Sequence, residues 1–227
     1  MDKLVDARQG LATAKNERFL RQWFEVRYNK ISFDSKSIQE SIESNKKWFP
    51  YNKGGSYRKW YGNYDYVVNW ENDAQEIRNF KWANGKNRSV IRNENYYFRE
   101  AITWSLITSG GLSLRFRSSC SIHDVVGMSV FSEDRLVLIS MICVLNSKVG
   151  DFILKILNPT ISLQVGDLQK FPVIKPKKDE QKYAEKVVND SKTDWDSFET
   201  SWNFQTHPFL THIAEHNLSP PMRYHIF

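Results

Sequence analysis

The alternation of apolar and polar positions gives the first outline of the chain. Leu112–Ser118, LSLRFRS, sets Leu112, Leu114 and Phe116 one way and Ser113, Arg115 and Arg117 the other. Strand side chains alternate between faces, so this segment predicts a half-buried strand with two arginines on its polar face. Tyr64–Trp70, YDYVVNW, is β-rich in composition and predicts another strand. Tyr96–Thr108 fits strand or helix, and Ser121–Phe131 holds a further short β-like stretch ending at Gly127. Leu136–Leu145 is apolar nearly all round and follows Ser132-Glu133-Asp134, a capping sequence whose acids suit the positive end of a helix dipole. That predicts a helix buried in the middle of the domain.

The other segments are shorter. Val149–Leu157 predicts a second helix, stopped by Asn158-Pro159-Thr160. Ile161–Val165 and Phe171–Ile174 predict short strands around a turn at Gly166-Asp167. Ser35–Ser44 and Glu71–Phe80 carry sparse helical spacing, and Gly10–Val26 predicts a loop leading into a short helix or strand. Ala83–Arg88 is a turn in which Asn84-Gly85 is a hairpin signal between weakly alternating flanks. Beyond Pro176, Lys177–Asn189 and Asp194–Phe204 predict two helices, the second with Trp195, Phe198 and Trp202 on one stripe. The predicted class is α+β: a mixed, β-rich domain with a buried central helix over residues 1–176, then a short helical segment over 177–227.

Charge adds a location. Of the net +6, residues 46–120 carry thirteen basic against six acidic side chains, while residues 1–45 and 121–227 are close to balanced. A localised positive field is the footprint of a polyanion partner. The same region holds Lys47–Trp70, KWFPYNKGGSYRKWYGNYDYVVNW, where nine aromatic residues surround Lys53, Arg58, Lys59 and the pair Gly54-Gly55. Its rings fit either a core hairpin or a base-stacking surface, and its glycines let a loop approach a backbone. Two cysteines without a partner motif, an N-terminus without an apolar signal region, and an apolar run too short to span a bilayer predict a cytoplasmic protein without a membrane partner.

Catalytic chemistry is sparse. His207, His212 and His216 lack the glutamate or cysteines of a metal site. Asp167, Glu180 and Lys182 resemble part of a metal-dependent nuclease site, in a solvated lysine-rich setting. Gly54-Gly55 is not followed by a phosphate-loop lysine, and Ser219-Pro220-Pro221-Met222 lacks the final aromatic of a target-base motif. The expectation is no catalytic residue, no metal and no cofactor in this chain.

Several separated stretches resemble one family in order: GLATAKNERF from Gly10, KWFPYNKGGSYRKWYGNYDYVVNWEN from Lys47, YYFREAITWSLI from Tyr96, LNSKVGDFILKILNPTISLQVGDLQKFPV from Leu145 and DWDSFETSWNFQTHPFL from Asp194. They are similar to the C-terminal specificity region of the large adenine-specific DNA methyltransferases of bacteriophage-exclusion (BREX) and phage-growth-limitation systems. Ala14-Lys15 stands where that family usually has Gly-Asp, and Ser219–Phe227 matches nothing in it.

The resemblance implies a target-recognition domain that binds double-stranded DNA beside a flipped adenine. The S-adenosylmethionine and catalytic motifs of the parent family would lie in a separate catalytic domain, in cis or trans, and this chain would be a portion of a longer protein or of a split gene. Lys53, Arg58, Lys59, Arg88, Arg92, Arg115 and Arg117 would then meet phosphates or guanine edges, and Asn52 and Asn63 could read adenine. The segment Asn52–Lys59, with Gly54 and Gly55, is the one expected to reach DNA. Changing Arg58 and Lys59 to Ala would then weaken DNA binding and flatten its salt dependence. The competing expectations are an interaction module for other defence proteins, using exposed Trp195 and Trp202, and a nuclease using Asp167, Glu180 and Lys182.

Overall fold

A computed structural model describes residues 4–107, 111–160, 162–172 and 177–210, with the backbone alone at 178–180. In chain order the elements are β1 (Asp6–Arg8), α1 (Asn16–Phe19), β2 (Leu20–Gln22), α2 (Ile38–Glu43), β3 (Trp48–Asn52), β4 (Tyr66–Asn69), α3 (Glu71–Arg78), β5 (Ala101–Trp104), β6 (Leu114–Arg117), β7 (Ile122–His123), β8 (Ser129–Phe131), α4 (Arg135–Asn146), α5 (Lys148–Leu157), α6 (Val165–Leu168) and α7 (Lys178–Asp196). Among the described residues, eight short strands form two four-stranded sheets, ordered β1-β8-β5-β6 and β2-β4-β3-β7. The fold is mixed α+β with a buried central helix, as the pattern predicts.

Each sheet has its own core. In the first, Ile102, Trp104, Leu114 and Val130 pack with Val137, Leu138 and Ile142 of α4, and α7 adds Ala184, Val188 and Trp195. In the second, Phe49, Tyr51, Val68 and Trp70 pack with Phe19, Ile77, Phe98 and Ile122. Asp134 caps α4 by accepting from Leu136 N at 2.9 Å. Lys47–Trp70 does contain the antiparallel β3–β4 pair, with Tyr51 opposite Tyr66. β3 also pairs in parallel with β7, setting Asn52 beside His123.

Three expectations are corrected. The chain does turn at Gly166-Asp167, but the predicted strand Ile161–Val165 gives way at Val165 to the helical turn Val165–Leu168, because the Asp167 carboxylate accepts from Gln164 N at 3.0 Å and closes the turn locally. Lys178–Asp196 is one continuous helix where two were predicted; no proline or glycine interrupts it. Finally, β6 is covered on both faces. The segment Lys53–Asn63 also pairs with its outer edge: Trp60 N donates to the Leu114 carbonyl at 2.9 Å and Phe116 N to the Trp60 carbonyl at 2.7 Å. Arg115 is enclosed against the Arg58 carbonyl and Arg117 against the Arg99 carbonyl and the Phe131 ring, each 0 % exposed. Strand alternation registers local pairing, not a strap more than fifty residues away in sequence. Among the described residues no single helix is long and apolar enough to cross a membrane.

Candidate nucleic-acid interface

The loop after β3 is built to be tight. Gly54 and Gly55 have φ of +86° and +131°, a region glycine enters without a Cβ penalty. A Cβ on Gly127 would stand 2.3 Å from the Asn52 carbonyl oxygen, and one on Gly55 would stand 2.8 Å from Asn63 Nδ2. Asn52 Oδ1 accepts from Gly54 N at 3.3 Å, Asn63 Nδ2 donates to the Ser56 carbonyl at 2.9 Å, and Ser105 Oγ donates to the Gly55 carbonyl at 2.9 Å. Both asparagines are buried, and their amides serve the loop's own backbone. Gly55, Ser56 and Tyr57 form the exposed tip.

The cations of the loop have partners inside the protein. Arg58 pairs with Asp194 at 2.7 Å, donates through Nε to the Tyr61 carbonyl at 3.1 Å, and lies 4.9 Å from the Trp195 ring centroid. Lys59 Nζ donates to the Asn146 carbonyl at 2.7 Å, at the negative end of α4. Lys53, half-buried, lies 5.2 Å from the ring centroid of Tyr66. Arg58 and Lys59 thus tie the strap to α7 and α4.

Beneath the strap, Arg115 Nη1 donates to the Arg58 carbonyl at 3.3 Å. Arg117 donates to the carbonyls of Ser121 at 2.6 Å and Arg99 at 2.8 Å. Burial pushes both guanidinium groups down to about 10, with Tyr64 opposing, so both remain charged at neutral pH. They hold the backbone around β6 and present nothing to solvent. Beside them His123 is fully buried, its ring packed against Tyr97 and Phe131.

Arg88 and Arg92 belong to a different part of the surface. After α3 the chain forms a hairpin in which Lys81 pairs with Asn87 and Trp82 N donates to the Lys86 carbonyl at 2.8 Å. Arg88, half-buried, lies 4.1 Å from the Trp82 ring centroid, and Arg92 is half-buried. The hairpin also exposes Lys81, Trp82 and Lys86, which the residue pattern does not single out; Asn84-Gly85 marks the turn, but not the residues that flank it.

The remaining candidates separate further. Asp167 is committed to its own turn and accepts from Asn158 Nδ2 at 2.5 Å, which removes it as an open metal ligand. The Glu180 side chain, His212, His216 and Ser219–Met222 lie outside the described residues. Trp195 is buried at 7 % exposure, and the Trp202 ring packs 4.9 Å from Phe33 and 5.3 Å from Tyr64. The expectation of two tryptophans exposed for a partner is thus corrected: the strap and the Phe33 loop give them an internal apolar surface to cover.

No family model matches the chain. It is 41% identical over 219 residues to the adenine-specific methyltransferase PglX of Lacticaseibacillus casei (strain Zhang), covering 96% of this chain and 18% of that protein. It is 39% identical over 196 residues to the adenine-specific methyltransferase BrxX of Escherichia coli O9:H4 (strain HS), covering 86% of this chain and 15% of the relative. The chain spans less than a fifth of the length of either relative. Over most of its length, then, the chain matches a partial region of adenine-specific methyltransferases of the PglX and BrxX kind.

Proposed function

We propose that the chain is the DNA-reading portion of an adenine-N6 methyltransferase acting in phage defence, with S-adenosylmethionine and catalysis supplied by a separate part of the protein. The observation that carries this reading is the near-complete match of the chain to a small part of two adenine-specific methyltransferases. The concentration of positive charge between residues 46 and 120 supports it, because a DNA reader needs a cationic face whatever sequence it reads. Double-stranded DNA is the partner, and the tip at Gly55–Tyr57 and the hairpin at 81–88 are the exposed elements suited to meet it.

The test is a fluorescence-anisotropy titration of the chain with duplex DNA across a salt series. Binding should weaken steeply as salt rises, with log K linear in log salt. An absence of binding at low salt by a folded chain would sink the proposal.

One observation favours a second reading, contact with another protein. On α5, Val149, Phe152 and Ile156 are each about two-thirds exposed and share one face. Co-purification of this chain with the rest of a methyltransferase, abolished by Phe152→Glu, would support that role.

A further inference from the structure

Rings and guanidinium groups alternate outward from the smaller core to the hairpin. Phe19 is fully buried, and the Arg18 guanidinium lies 5.2 Å from its ring centroid and 5.1 Å from that of Phe80. Arg88 continues the series, 4.4 Å from the Phe80 centroid and 4.1 Å from that of Trp82. The series ends at Trp82, which is 54 % exposed. Its indole therefore has a planar cation on one side and solvent beyond.

This terminus is fixed in place. Gly85 N donates to the Trp82 carbonyl at 2.9 Å, and Arg88 N to the Phe80 carbonyl at 2.9 Å. The hairpin tip is open: a Cβ on Gly85 would meet nothing within 4 Å. Lys81 and Lys86 are exposed on either side of the turn. Just upstream, α3 is broken near its start: Asn72, Asp73 and Ala74 have φ of 49°, 56° and 56°, left-handed backbone that is strained at Ala74. Buried Ala74 and Ile77 hold it, together with Arg78, whose Nε donates to the Asp73 carbonyl at 2.7 Å. Strain held by its surroundings marks a conformation that the fold maintains for a reason other than local preference.

Indole is the strongest stacking face among side chains, and aromatic–base stacking works wherever a base has left its neighbours. We propose that Trp82 is a stacking platform for an unstacked nucleobase. Arg88 pins the indole from behind, and Lys81 and Lys86 meet the phosphates on either side of that base. The inference rests on the DNA-reading proposal and adds to it a residue and a substrate feature: the nucleic acid carries a base out of its stack at this point.

Three fluorescein-labelled probes test it with the full chain: an intact duplex, the same duplex with a single-nucleotide bulge, and one of its strands alone. The unsubstituted chain should prefer the bulged duplex over the intact one by roughly tenfold. Trp82→Ala should bring that ratio to about one, while Trp82→Phe keeps most of it; Lys81→Ala with Lys86→Ala should weaken all three probes alike. Trp82 lies on the surface, and matching melting curves establish that each variant is folded. A bulge preference that survives Trp82→Ala, or salt-dependent duplex binding with no bulge preference in the unsubstituted chain, overturns the stacking role and leaves DNA reading standing. No salt-dependent binding to any probe overturns both.

Discussion

His123 is held neutral by its surroundings: burial first, then the charge of Arg117, keep its imidazole well below its ordinary value. Tyr97 and Phe131 pack 5.2 and 5.3 Å from its ring centroid. Its pKa is depressed on folding, so the unfolded chain gains a proton that the folded chain refuses. Stability is full above the unfolded value near 6.5 and falls as pH drops below it, by at most about 1.4 kcal/mol per pH unit. The neighbouring Asp124, whose carboxyl is raised by burial, acts in the opposite sense only nearer the carboxylate range. Urea midpoints at pH 7 and 5.5 should separate for the unsubstituted chain and converge for His123→Phe; equal separation in both would refute the assignment. Arg117→Ala should cost about 2–4 kcal/mol, because it leaves a cavity and orphans the Ser121 and Arg99 carbonyls. A surface DNA contact at that position would instead leave the melting temperature unchanged. Ala14 adopts φ 60°, the left-handed backbone that favours glycine. Ala14→Gly should therefore raise stability by about 0.5–1 kcal/mol in the same denaturation assay.

At the scale of elements, the strap Lys53–Asn63 decides what the strands can present. It pairs with the outer edge of β6, lays the Arg58 carbonyl on Arg115, and rests on Gly127, where an added Cβ would overlap the Asn52 carbonyl. Gly127→Ala should displace the loop and cost about 1–3 kcal/mol, measured by chemical denaturation. A neutral result would mean that the loop relaxes freely. Here, too, the sequence is both most and least legible. Helices α4 and α5 are readable because their caps and apolar runs lie within a dozen residues. The buried arginines are not, because Arg115 is buried against the Arg58 carbonyl and Arg117 against the Arg99 carbonyl and the Phe131 ring, contacts that no local period encodes. Helical Val165–Leu168 is hidden for a related reason: a side-chain lock by Asp167 outweighs the β-branched composition of its flanks. In the candidate site, Gly54-Gly55 is visible in composition, whereas Trp82 emerges only when Arg88 comes back across the hairpin.

Across the whole molecule, position in the charged segment does not determine which cations can meet DNA. The region 46–120 holds the excess positive charge, yet Arg115 and Arg117 are internal, and Arg58 and Lys59 are anchored to Asp194 and the end of α4. Lys53 is half-exposed beside Tyr66 and Lys86 is exposed on the hairpin, so each has an ammonium group that a phosphate can use. Two double variants separate these classes. Arg58→Ala with Lys59→Ala should lower thermal stability, by roughly 1 kcal/mol given the partial exposure of the Arg58–Asp194 pair, through loosening of the strap from α7 and α4. Lys53→Ala with Lys86→Ala should leave thermal stability nearly intact and reduce the slope of log K against log salt by up to about two, one for each phosphate no longer neutralised. If the first pair flattened the salt dependence without lowering stability, the cations at Arg58 and Lys59 would have to leave their internal partners to reach DNA. The strap would then be a moving part of the interface instead of its fixed support.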